Sequence, residues 1–145
     1  MAESETKKLK LKSLRQISYA VKNVDKVVEA WNKYYDMGPW TYRENGGLDA
    51  KGRPWKIRMA FAYLDNVEIE LVECTEGRIF QSRFLDTWGE GIHHVGFLVD
   101  DVDKETENLV KQGVKQFVYD PGKFSYLDAG GVGGAVFEFI QKPKK

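Results

Sequence analysis

Apolar and polar positions along this chain follow two alternating periods. Between Leu14 and Val21 the character switches at every residue, with Ile17, Tyr19 and Val21 on one side and Gln16, Ser18 and Ala20 on the other, the pattern of a strand with one packable and one small, polar face. From Val24 the period lengthens. Val24, Val27, Val28, Trp31 and Tyr34 or Tyr35 recur three and four apart, which predicts a helix with one buried stripe, capped by Asn23 or Asp25 and stopped by Gly38-Pro39. Trp40–Glu44 reads as a short strand, and Asn45–Pro54 (NGGLDAKGRP) as a loop by every local signal. Trp55–Leu64 and Val67–Cys74 form a hairpin around Asp65-Asn66, and helical spacing returns at Gly77–Gly89 through Ile79, Phe80, Phe84, Leu85 and Trp88.

The same plan then recurs. A strand at Ile92–Val99 leads into a helix at Val102–Gln112, capped by Asp100 or Asp101 and closed by Gly113; strands at Val114–Tyr119 and Lys123–Asp128 flank Pro121-Gly122, and a glycine-rich bend at 129–134 leads to a last strand at Ala135–Gln141. The two halves match residue by residue. QISYAVKNVDK at Gln16–Lys26 aligns with HVGFLVDDVDK ending at Lys104, so that Gln16 falls opposite His94, and VEIELVE at Val67–Glu73 resembles AVFEFIQ at 135–141, with Glu70 opposite Glu138. Gln16 and Glu70 are 54 positions apart and His94 and Glu138 are 44 apart, so the first copy carries about ten extra residues, where the Asn45–Pro54 loop is expected. The expected organisation is a polar tail at 1–12, a strand–helix–strand–strand–strand module at 13–76, a helical linker at 77–90, a second module at 91–141 and a tail at 142–145.

Composition narrows the functional classes. With 145 residues, the chain is long enough to bury a core without staples; 22 basic and 22 acidic side chains cancel, so no field draws nucleic acid or an anionic membrane. No run of apolar residues spans a bilayer, and the single Cys74, with no signal peptide, makes the reducing cytoplasm the expected location. The aromatic fraction of 13% suits a β-rich core or an aromatic-walled pocket.

Four polar residues fall mid-strand on faces whose alternate positions are apolar: Gln16, Glu70, His94 and Glu138. If the first and last strands of each module are neighbours, an amide, an imidazole and two carboxylates converge, a donor set that suits zinc, cobalt, nickel or manganese and leaves positions for water or a chelating substrate. Ser18 and Gly96 on the same faces are small and leave room above it. His93 and His94, adjacent and hence on opposite strand faces, do not supply the two-histidine set of an extradiol dioxygenase.

These segments, with DMGPW at Asp36–Trp40, GIHHVGFLVDDVD at Gly91–Asp103 and VFEFIQ at Val136–Gln141, resemble the vicinal oxygen chelate superfamily, most closely the methylmalonyl-CoA epimerases and related glyoxalase-type proteins. The resemblance implies an α+β fold of two tandem βαβββ modules, a U-shaped mixed sheet around a cleft, with a divalent metal on Gln16, Glu70, His94 and Glu138. It also implies a homodimer and a small-molecule substrate, with an acyl-CoA as the candidate. Epimerases usually carry histidine where Gln16 stands; the Gln, Glu, His, Glu set is similar to that of some glyoxalase I enzymes. The expected chemistry is proton transfer next to a carbonyl through a stabilised enediolate, with Glu138 or Glu44 moving the proton. A glyoxalase-like lyase and a ligand-sequestering protein without chemistry are the alternatives. Arg43, Lys51, Arg53, Lys56 and Arg58 would either meet the phosphates of an acyl-CoA or form a solvated edge.

Overall fold

A computed structural model describes residues 8–131 and 136–144. The first seven residues of the polar tail, positions 132–134 of the glycine-rich bend, Ala135 and Lys145 lie outside the described residues. Two compact units form, Arg15–Val95 in one and Gly96–Lys145 with Met1–Leu14 in the other.

In the first unit, strand β1 (Leu14–Ala20) is followed by helix α1 (Val24–Tyr34), strands β2 (Thr41–Leu48), β3 (Pro54–Leu64) and β4 (Val67–Glu76), and helix α2 (Phe80–Trp88), then the first half of strand β5 (Gly91–Val99). Of the two predicted caps for α1, Asn23 holds the position: its side chain accepts a hydrogen bond from the Lys26 N–H at 2.9 Å and satisfies one of the helix's otherwise orphaned donors. The helix ends at Tyr34, ahead of the Gly38-Pro39 stop. Its stripe of Val24 and Val28 packs with Val21, Ala60 and Leu71, and Tyr19, Val27, Trp31 and Trp40 close over them, the Tyr19 and Trp31 rings meeting edge to face at 5.2 Å. Asp65 adopts φ of +53°, the left-handed conformation that a two-residue hairpin turn between β3 and β4 demands.

The predicted Asn45–Pro54 loop is wrong for its first half. The β2 strand runs through Asn45, Gly46 and Gly47 to Leu48, and these pair with Ile57, Lys56, Trp55 and Pro54 of β3. The reason lies in the partner strand. A Cβ on Gly46 would sit 2.8 Å from the Trp55 carbonyl oxygen, and one on Gly47 would meet the Trp55 indole at 3.3 Å, so glycine is what allows this approach, and the local turn signal reports close packing instead. Only residues 49–53 remain as the connection, where Asp49 caps the backbone N–H groups of Lys51 and Arg53. The extra length of the first copy is therefore a longer hairpin, with strands of 8 and 11 residues against 5 and 5 for the matching pair in the other half.

The second unit contains the rest of β5, helix α3 (Val102–Lys111) and strands β6 (Gln116–Asp120), β7 (Phe124–Asp128) and β8 (Val136–Gln141). Asp101, one of the two predicted caps, accepts from the Lys104 N–H. Val99, Val102, Leu127 and Phe139 form the core, with Leu9, Leu109 and Val114 against it. Strand order in the first unit is β2-β3-β4-β1 with β5 beyond β1, and in the second β5-β8-β7-β6. The parallel pairing of β1 with β4 is the feature that builds the site: it sets Gln16 beside Glu68 and Ser18 beside Glu70.

Candidate metal centre

The polar face of β1 is its covered face. Gln16, Ser18 and Ala20 are all buried, whereas Ile17 and Tyr19 are only half-buried. Buried polar groups require partners, and each here has one. The Ser18 hydroxyl donates to Glu70 Oε1 at 2.6 Å, and Gln16 Nε2 donates to Glu68 Oε1 at 2.7 Å, both across the β1–β4 register. The Glu70 side chain is 13% exposed, so the simple explanation of a solvent-washed strand face does not apply to it.

His94 comes to the same point from β5. It is 1% exposed, with Nε2 2.9 Å from Gln16 Oε1 and 3.9 Å from Glu70 Oε1. An amide oxygen only accepts, so Nε2 carries the hydrogen in this arrangement and Nδ1 is left as the acceptor. That acceptor meets His93 Nδ1 at 2.9 Å, which therefore donates. Strand alternation alone predicts these two histidines to be separated by the backbone; the structure turns their rings perpendicular to one another with adjacent Nδ1 atoms. His93 itself is wedged edge-on between Phe80 and Phe84 of α2, at 5.1 and 5.4 Å. Burial, and after it the neighbouring His94, pushes the His93 pKa down to about 3, so this ring is neutral at physiological pH.

Three of the four expected ligand residues are thus brought together within one unit: Gln16, Glu70 and His94. Donors at about 2.0–2.2 Å from a common cation, ninety degrees apart, are roughly 3 Å from each other, and donors nearer trans stand roughly 4 Å apart; the observed 2.9 and 3.9 Å separations fit that pattern. Amide oxygen, carboxylate oxygen and imidazole nitrogen are also donors of the right hardness for a borderline divalent ion. For Nε2 to serve, its hydrogen must move to Nδ1, which then donates to His93. Among the described residues no three His, Cys, Asp or Glu side chains gather into a metal-holding group, so a metal reading of this cluster rests on the Gln16 amide oxygen together with Glu70 and His94.

Glu138 lies in the second unit, mid-strand in β8 beside Tyr126 of β7, and is buried at 8% exposure. Glu44 lies on β2 with its side chain 74% exposed; it is 3.4 Å from Arg58, whose other terminal nitrogen holds Asp25 at 2.9 Å and whose plane covers the Tyr42 ring. Most of the basic positions expected at the edge are committed to internal partners: Arg53 to Asp49 at 2.7 Å, Lys56 to Glu76 at 3.4 Å, Arg43 over the Phe61 ring.

Sequence reasoning passed over Glu68, Tyr63, and Ser18 as a hydrogen-bond donor. Tyr63 Oη donates to Glu68 Oε2 at 2.5 Å, and that bond raises the Tyr63 pKa above its ordinary value, chiefly because the carboxylate favours the protonated phenol. The available signal was the shared face of Glu68 and Glu70, two carboxylates two residues apart on one strand.

A βαβββ order that occurs twice along the chain defines a class of fold, and comparison places the chain in it. The profile of the Glyoxalase/Bleomycin resistance protein/Dioxygenase superfamily matches residues 15–126, and the chain belongs to that superfamily. Among solved structures it is similar to a variant of the Streptomyces coelicolor methylmalonyl-CoA epimerase in complex with 2-nitronate-propionyl-CoA, at 19% identity and a TM-score of 0.69 over 93% of this chain and 100% of that one. The Mycobacterium tuberculosis methylmalonyl-CoA epimerase is similar at 20% identity and a TM-score of 0.67, covering 99% of this chain and 94% of the other. A hypothetical protein of Bacillus halodurans C-125 is 22% identical, with a TM-score of 0.65 over 91% and 95%. A comparison with curated protein sequences finds no significant match. These structural likenesses establish the glyoxalase-like α+β fold.

Proposed function

We propose that this protein is a divalent-metal-dependent enzyme that moves a proton next to a carbonyl, acting as an epimerase or isomerase of a 2-substituted acyl-CoA or a similar dicarbonyl compound. The observation that carries this reading is the meeting of Gln16 Oε1, His94 Nε2 and Glu70 Oε1 on buried strand faces, 2.9 and 3.9 Å apart. Zinc, cobalt, nickel and manganese all suit the donors. A bound cation supplies Lewis-acid polarisation of the substrate's carbonyl oxygen. The chain does the rest: His94 and the two oxygens orient the cation, Ser18 fixes the Glu70 carboxylate, and His93 fixes the His94 ring. Glu138, whose place in β8 corresponds to that of Glu70 in β4, is the proposed group that takes the α-proton; Glu44 is the alternative base. The epimerases among the similar structures, one of them in complex with methylmalonyl-CoA, support an acyl-CoA substrate.

The test is metal analysis of untreated protein, followed by incubation with methylmalonyl-CoA in D2O. Deuterium should enter the α-position in a chelator-sensitive manner, and Glu138→Gln should reduce the exchange by two orders of magnitude or more, about the contribution of one positioned base. Full exchange in Glu138→Gln together with its loss in Glu44→Gln would move the base to Glu44. A second reading, a glyoxalase I-like lyase, is favoured by the amide at position 16 in place of a histidine; it predicts glutathione-dependent loss of methylglyoxal. Ligand binding without turnover of either substrate would identify a sequestering protein.

A further inference from the structure

The Gln16 side chain is nearly symmetric in shape and opposite in chemistry at its two ends. Only the oxygen end can hold a cation; a half-turn of the amide would present two N–H donors to the site instead. Nothing within Gln16 chooses between these states, so the choice is made by what surrounds it. At one end of the amide is His94 Nε2, which can be donor or acceptor according to tautomer. At the other end is Glu68 Oε1, 2.7 Å away, and an ionised carboxylate is an acceptor only. A flipped amide would set two oxygens against each other at that distance. Glu68 therefore dictates the orientation, and His94 follows.

We propose that Glu68, braced by Tyr63, is a positioning residue that turns the Gln16 amide so that its oxygen faces the cation site; the inference rests on the metal-centre reading above. Glu68 is well suited to this. It is the backbone partner of Gln16 in the parallel β1–β4 pair and of Tyr63 in the antiparallel β3–β4 pair, so both neighbours are set by strand register. Its second oxygen accepts from Tyr63 Oη at 2.5 Å, and the Arg15 guanidinium stacks on the Tyr63 ring 5.3 Å from its centre, which keeps the carboxylate from rotating away. The polarity then propagates: Tyr63 and Gln16 donate to Glu68, the Gln16 oxygen is left facing His94, and the imidazole order that ends at His93 is set. This arrangement gives a glutamine ligand the directional certainty that an ionised carboxylate, an acceptor at both oxygens, possesses by itself.

The test compares Glu68→Leu and Glu68→Gln, each in the native and the Gln16→Ala background, by calorimetric titration with Co2+ under chelator competition. Glu68→Leu should weaken Co2+ binding about 10- to 100-fold, the usual effect of losing a partner behind a ligand. Glu68→Gln removes the charge but keeps an acceptor for Gln16 and a partner for Tyr63, and should stay within about threefold of the parent if orientation is what matters. In the Gln16→Ala background Glu68→Leu should have no further effect. Unchanged affinity in Glu68→Leu, an equal loss with Gln16→Ala present, or an equal loss in Glu68→Gln would each overturn the assignment. Nuclear magnetic resonance of the Gln16 side-chain NH2 gives a readout that needs no metal: a hydrogen-bonded, slowly exchanging pair in the parent, lost in Glu68→Leu. If the parent takes up no Co2+ at all, the metal reading fails by itself, and this resonance decides the clamp, upheld by its loss in Glu68→Leu and overturned by its persistence.

Discussion

His93 shows how much a single residue's surroundings decide. Its strand position is that of an ordinary packed aromatic, and Phe80 and Phe84 treat it as one; yet its Nδ1 is the donor that sets the His94 ring. A histidine held at a pKa of about 3 carries a stability cost in acid. The unfolded chain takes up this proton near pH 6.5, so between pH 6.5 and 3 the unfolded state binds more protons than the folded one. The contribution is fully present above pH 6.5 and falls by up to ~1.4 kcal/mol per pH unit below it. In chelator-treated protein His93→Phe should keep the aromatic packing and lose this dependence. Melting curves from pH 7 to 4 should show a shallower fall for the variant than for the parent; parallel curves would mean that His93 is protonated in the folded state. At the same scale, Gln16, Glu70 and His94 were legible in the sequence through the internal repeat. Glu68, Tyr63 and Ser18 were not, because their roles depend on which residue stands opposite which across paired strands, and register is written in no local pattern.

Among the elements, the hairpin of β2 and β3 departs furthest from expectation, and the tight end of β4 shows the same physics in a measurable form. Both turn on glycine, which marks a loop when its backbone freedom is used and a close approach when its missing side chain is used. Gly77 uses both. It has φ of +69°, and a Cβ there would stand 2.2 Å from the Pro54 carbonyl oxygen, against the first residue of β3. Gly52, at φ of +76°, has nothing within 4 Å of the same position. Gly52→Ala should therefore cost only the left-handed backbone penalty of about 1–2 kcal/mol, and Gly77→Ala distinctly more, because the β3–β4 pair must also shift. Urea unfolding of the two variants measures the difference; equal losses would show that Pro54 yields freely. Helix starts were far more legible, since a cap such as Asn23 or Asp101 acts on a backbone N–H three residues away and needs no tertiary contact.

For the whole molecule, each unit rests on its own apolar cluster, with Leu71 fully buried in one and Leu127 in the other. Leu71→Ala and Leu127→Ala should each cost ~2–5 kcal/mol in urea unfolding; a loss below 1 kcal/mol in either would show that its cluster contributes little to holding that unit folded. Among the described residues no helix is long and apolar enough to cross a membrane, consistent with the absence of such a run in the sequence. What the sequence determined by itself is the element order, the starts of α1 and α3 to within a pair of candidate caps each, the doubled plan and the identity of three residues that meet. These follow from periodicity, capping chemistry and self-similarity, all of which act over a few residues or compare the chain with itself. Tertiary structure alone decided that β2 extends through its glycines, that the polar side of β1 is the buried one, and that Glu68 and His93 stand behind Gln16 and His94. Each of those depends on a partner on another strand or helix, and only the folded backbone brings the two together.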